Sequence, residues 1–201
     1  MSGRGLVYGH GVNDFQGRVT VNGKHITEYY LWKSMIARCY SPLFHLKNPT
    51  YKGCQVESQL LSFTNFLKFV RGLKGFGEFD EVCRPFALDK DLLIKGNKIY
   101  SSDTICSVPQ EVNSFLANNN AIRGTLPVGV VYHKRDHVYQ AAIRISSKVV
   151  YLGSFSTPEE AFGAYKIAKE AQAKVLASKW VGFIDERADN ALMNYEVDIN
   201  G

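Results

Sequence analysis

The 201-residue chain has no apolar stretch approaching a membrane-spanning helix, which takes about 20 residues. Its start, MSGRGLVYGHG, contains no apolar signal core, and a cytoplasmic protein with no membrane partner is expected. Cysteine is scarce. Cys39, Cys54, Cys83 and Cys106 lie far apart and form no CxxC pair. Structural zinc usually draws on close ligand pairs, so buried free thiols are the expectation. The five histidines show no HxH or HExxH spacing, and no metal or other cofactor is expected from them.

What is present, with 45% hydrophobic and 21% charged residues, describes a globular protein with enough chain for one large or two small domains. The net charge of +5 is unevenly spread. Arg123 to Lys179 contains nine Lys or Arg against four Asp or Glu, a local +5, whereas the residues after Lys179 carry one against five. A basic stretch of that kind suits phosphate neutralisation. A solvated helix face is the competing account of Lys166, Lys169 and Lys174.

The stretch from Leu126 to Lys179 has the clearest patterning. Val130 and Tyr132 alternate with Val131 and His133; Tyr139, Ala141, Ile143 and Ile145 with Gln140, Ala142 and Arg144; Val150 and Leu152 with Val149 and Tyr151. This period of two predicts a three-stranded antiparallel meander with one apolar face. A helix should come next, with Thr157 as N-cap, Pro158 at the first position and Glu160 completing a capping box. Its stripe of Ala161, Phe162, Ala164, Tyr165, Ala168 and Ala171 lets a helix lie close on the sheet.

The opposite face then presents His133, Gln140, Ala142, Arg144 and Tyr151, with Lys134, Arg135 and Lys148 in the turns. Side chains of this kind meet base edges in a major groove while turn cations meet phosphates. An ordinary solvated sheet face explains the same residues. RNA binding is the weaker alternative, because the aromatics Tyr132 and Tyr139 alternate onto the inward face.

The runs GVVYHKRDHVYQAAIR and VVYLGSFSTPEEAFGAYKIA resemble the plant Apetala/ethylene-response-factor type of DNA-binding domain, which phage homing endonucleases also carry. The resemblance lies in Gly129-Val130, Ala141 to Arg144, Leu152 to Phe155, and Thr157, Glu159, Glu160, Ala161, Ala164 and Tyr165. It covers about fifty residues and implies a sheet placed in the major groove of double-stranded DNA. Arginine and tryptophan positions of the family are Val131, His133, Val149 and Tyr151 here, so the family's preferred DNA sequence does not transfer.

Upstream, Tyr29, Trp32, Met35 or Ile36, and Cys39 fall on one face of a helix from Thr27 to Tyr40, which Ser41-Pro42 stops. Leu60, Leu61, Phe63, Phe66, Leu67 and Val70 mark a second helix from about Glu57 to Arg71. Between Phe86 and Phe115, a hairpin across Lys95-Gly96-Asn97 and a helix from Val108 to Phe115 are expected. That outline resembles the ββα-metal unit of HNH nucleases. The resemblance puts Asp89 at the strand aspartate, Lys90 at the histidine and Asn113 at the helix ligand, with Asp91 as another possible ligand. A lysine is a poor base near neutral pH, its usual pKa being about 10.4, and it repels a divalent cation.

Tyr29-x-x-Trp32, Arg38-Cys39-Tyr40, Tyr51 to Cys54, Phe63-x-x-Phe66, Leu88 to Asp91, Gly96 to Lys98 and Tyr100-Ser101 extend the resemblance to phage HNH proteins over most of the chain. The expected class is α+β: an N-terminal helical region over 1–117 with a degenerate HNH-like unit at 86–115, a linker at 118–127, and a sheet-on-helix domain with an acidic tail at 128–201. Arg123 in the linker is a candidate backbone contact. The tail apolars Trp180, Phe183, Ile184, Leu192 and Met193 are expected to pack on their own domain, with homodimerisation left open.

Two functions are compatible with these residues. In one, a cleavage-deficient, domesticated homing endonuclease binds double-stranded DNA as a transcriptional repressor, with no cofactor. In the other, a Mg-dependent endonuclease cuts near its recognition site.

Overall fold

The computed structural model describes residues 5–117, 125–146 and 148–199. The fold is α+β. Its compact units are Met1–Glu78 with Leu88–Ser107, and Phe79–Ala87 with Val108–Gly201. These differ from a partition at 118–127, because the segment before Leu88 and the helix near residue 110 belong with the sheet domain.

In the first unit, helix α1 (Thr27–Tyr40) buries Tyr29, Trp32, Met35, Ile36 and Cys39, the stripe that the helical period predicts. They share a core with Phe63, Phe66, Leu67 and Val70, while the Trp32 indole donates to the Leu60 carbonyl at 2.9 Å. Two expectations need correction. Ser41-Pro42 ends α1 but also starts a second helix, α2 (Pro42–Lys47), with the Ser41 hydroxyl accepting from the Phe44 amide. The helix expected from Glu57 is instead a 3-10 turn (Ser58–Leu61) leading into α3 (Phe63–Gly72). The Ser62 hydroxyl caps α3, and the Asp14 carboxylate accepts from Ser62 and from the Thr64 amide.

The short strands pair in a way the pattern did not predict. Strand β1 (Thr20–Val21) forms a hairpin with β2 (Lys24–His25), across Asn22-Gly23, both of positive φ as such two-residue turns require. Strand β3 (Gln55–Val56) runs parallel to β5 (Ile99–Tyr100), and β4 (Ala87–Asp89) pairs with β6 (Cys106–Val108). The expected β4–β5 hairpin is absent among the described residues, since each strand pairs elsewhere. Local turn signals do not register long-range partners.

In the second unit, β7 (Val130–His133), β8 (Val138–Ile145) and β9 (Lys148–Phe155) form an antiparallel sheet in that order. Helix α4 (Gln110–Leu116) precedes the sheet. Helix α5 (Pro158–Trp180) comes after it, opened by the expected capping box of Thr157 and Glu160. Val130, Ala141 and Ile143 of the sheet pack with Ala161 and Tyr165 of α5. Ala171, placed on the sheet side by sequence, is exposed; the buried stripe instead continues through Lys169, Ala173, Leu176, Ala177 and Trp180.

The reason is that α5 serves two surfaces. Its 23 residues span roughly 34 Å, longer than the strands it covers. Its second half meets α4 and the Phe79–Ala87 segment: the Trp180 indole donates to Glu111 at 2.6 Å and packs edge-on against Phe86. The tail returns through α6 (Glu186–Met193), which buries Ala188 and Leu192, and Ile184 is also buried whereas Phe183 and Met193 are exposed. Among the described residues no helix is long and apolar enough to cross a membrane. Among the described residues no cysteine is in a disulfide; Cys39, Cys54 and Cys106 are buried but Cys83 is exposed, a correction to the expectation for that residue.

Candidate nucleic-acid interface

The cross-strand register defines the sheet's outer face. His133 pairs with Val138, Val131 with Gln140, Gln140 with Ser154, Ala142 with Tyr151, and Arg144 with Val149. Directly opposed residues point to the same side of a sheet, so these nine side chains make one surface. It is open: Val131 and Val149 are each 65% exposed and Tyr151 58%, Arg144 is exposed, and His133, Gln140 and Ala142 are half-buried.

Ser154 is the member that strict alternation misses. A bulge lies just after Ala141, where the pairing jumps from Gly153 to Tyr151. An extra residue in one strand reverses the parity of every position beyond it. Gly153, with φ of 141°, was the available signal. Ser154 lies within hydrogen-bond distance of the Tyr151 hydroxyl, at 2.6 Å, which holds the phenol in place along the strand.

Cations frame this surface. Lys134 is exposed in the β7–β8 turn, and the Arg135 side chain is 90% exposed; Lys148, expected in a turn, is instead the first residue of β9, exposed and paired with Ile145. Asp136 lies 3.2 Å from His133 and 3.7 Å from Arg135, so it opposes part of this charge. Arg123 lies outside the described residues.

The helix lysines are not one solvated face. Lys166 pairs with Glu170 at 2.5 Å and Lys174 is exposed, but Lys169 is buried. Its ammonium donates to the Phe115 carbonyl and sits 3.8 Å from the centre of the Phe115 ring. Burial pushes its pKa down to about 8. No hydrophobic pattern could have announced it, because the Phe115 carbonyl and ring that meet it come from α4.

A groove of about 930 Å³ borders β8 and α5 in the same unit. Asp80, Glu81 and Glu111 line it together with Arg84, Arg144 and Lys179. That mixed-sign lining suits a polyanion poorly, so the outer face of the sheet is the better candidate for DNA.

Of the residues assigned by the HNH resemblance, Asp89, Lys90 and Asp91 form a structural turn. One Asp89 carboxylate oxygen accepts from the Asp91 and Leu92 amides at 2.9 and 2.7 Å. Burial raises its carboxyl above the usual range against the pull of those two bonds. The Lys90 ammonium is buried, 2.5 Å from an Asp91 oxygen and 2.7 Å from the Asn97 carbonyl. The Asn97 amide closes the loop by donating to the Lys90 and Ile99 carbonyls. A divalent cation on Asp89 and Asp91 would therefore compete with an ammonium already paired to one of them. This arrangement does not fit the Mg ion of the nuclease resemblance. Asn113 is half-buried in α4, which belongs to the other compact unit.

No family model, characterised protein or solved structure matches this chain.

Proposed function

We propose that this chain is a sequence-specific double-stranded DNA-binding protein of homing-endonuclease descent, in which cleavage has been lost and binding itself represses transcription by occupancy. The observation that carries the reading is the open outer face of β7–β9, which carries Arg144, Gln140 and Tyr151, with exposed cations Lys134 and Arg135 in the β7–β8 turn and Lys148 at the start of β9. Arg144 and Gln140 contact base edges, His133, Ala142 and Tyr151 flank them, and Lys134, Arg135 and Lys148 hold phosphates. The engagement of Asp89 by backbone amides and of Lys90 by Asp91 supports a cleavage-deficient protein.

Arg144→Ala is expected to weaken binding to the best site by about 1 to 3 kcal/mol and to relax base preference there. A mobility shift on selected duplex DNA measures this; unchanged affinity and preference would refute the assignment. Incubation of the same complex with Mg or Mn is expected to leave the duplex intact. Specific products that vanish in Asp89→Ala would replace the repressor reading with an endonuclease.

A further inference from the structure

We infer that the outer face of the sheet recognises thymine C5-methyl groups, with Val131 and Val149 as the residues that read them. The inference rests on the DNA-binding reading above and specifies what the face selects.

The face is unusual for one offered to nucleic acid. Val131, Val138, Ala142 and Val149 occupy four of its nine positions, and Arg144 is its only side chain charged at all pH values. Val131 and Val149 leave 65% of their surface in water, so neither is retained for core packing. Both are β-branched, with a nearly fixed side-chain torsion, and each presents its methyl groups at a defined place.

The chemistry of the major groove then narrows the partner. Guanine, adenine and cytosine present hydrogen-bonding groups there, whereas thymine adds an apolar methyl group. Opposite a valine, a cytosine amino group would lose water without gaining an acceptor, and an unpaired polar group is costly. Thymine instead removes two apolar surfaces from water together. The placement gives each valine its own base pair, because Val131 lies on β7 and Val149 on β9, with β8 between them. Val149 is the direct cross-strand partner of Arg144, and such partners have Cβ atoms about 5 Å apart. The thymine met by Val149 therefore lies next to, or one base pair beyond, the base met by Arg144.

The test uses the full chain. Duplexes bound by it are selected from a random pool, and each thymine of the selected site is then replaced by deoxyuridine, which deletes only the methyl group. At two thymines the replacement is expected to weaken binding about 4-fold, the worth of one buried methyl-sized group. Val131→Ala should abolish the penalty at one of these positions and Val149→Ala at the other. Both valines are exposed, so folding is expected to survive, and circular dichroism verifies it. A selected site indifferent to every deoxyuridine, or penalties that neither variant alters, overturns this inference and leaves DNA binding standing. If no duplex is enriched at all, the DNA-binding reading falls and takes this one with it.

Discussion

At the scale of single residues, Lys169 and Lys90 show how position changes what a lysine does. Among the described residues no carboxylate pairs with the Lys169 ammonium, which meets the carbonyl and ring of Phe115, and its pKa falls from 10.5 to about 8 because burial disfavours the charge. Between those values the unfolded chain holds more protons than the folded one, so this group makes stability rise with pH from about 8 to 10.5 and imposes its full burial cost below that window. Lys169→Met should therefore be more stable than the wild type at pH 7, with the advantage shrinking as pH rises through the window. Urea denaturation of both proteins at pH 7, 9 and 10 measures the difference; parallel pH dependences would contradict the account. Lys90 is equally buried but paired with Asp91. The resemblance to HNH nucleases assigned Lys90 to the histidine position. Only the folded loop shows its ammonium tied to Asp91 and the Asn97 carbonyl.

Among the elements, the entry into β7 lies close against α5 at Gly129 and Tyr165. The Pro127 carbonyl accepts from the Val130 amide, and the Gly129 carbonyl accepts from Ala142, so the chain turns sharply into the sheet at Gly129, where φ is 77°. A Cβ at Gly129 would lie 2.0 Å from the Tyr165 ring. Gly129→Ala thus combines a left-handed backbone penalty with overpacking against a buried ring, together roughly 2 to 5 kcal/mol. Thermal unfolding monitored by circular dichroism should show a large drop in midpoint, and a change of only a degree or two would disprove the close approach. The alternation of β7 to β9 and the capping box at Thr157 were legible because they depend on neighbours two or three residues away. The bulge beside Gly153 and the β3–β5 pairing were not, since both depend on strands brought together from elsewhere in the chain.

For the whole molecule, the uneven charge makes the prediction. A basic segment from Arg123 to Lys179 is followed by an acidic tail in the sequence, and Lys134 and Lys148 are exposed at the ends of the sheet strands. Each phosphate contact lowers the slope of log K against log salt by about 0.9. Lys134→Ala and Lys148→Ala should each reduce the steepness of the salt dependence by about one, with little effect on base preference. Titrations between low and moderate salt test this; an unchanged slope would remove those lysines from the phosphate contacts. The amino-acid sequence alone determined helix α1, the strands β7–β9 with the side of that sheet that turns to solvent, and the capped start of α5, because periodicity and capping are local properties. The tertiary structure decided that α4 joins the sheet domain and buries Lys169. It also decided that Ser154 shares the outer face and that Asp89 and Lys90 close a loop, because each outcome depends on what distant segments place beside those residues.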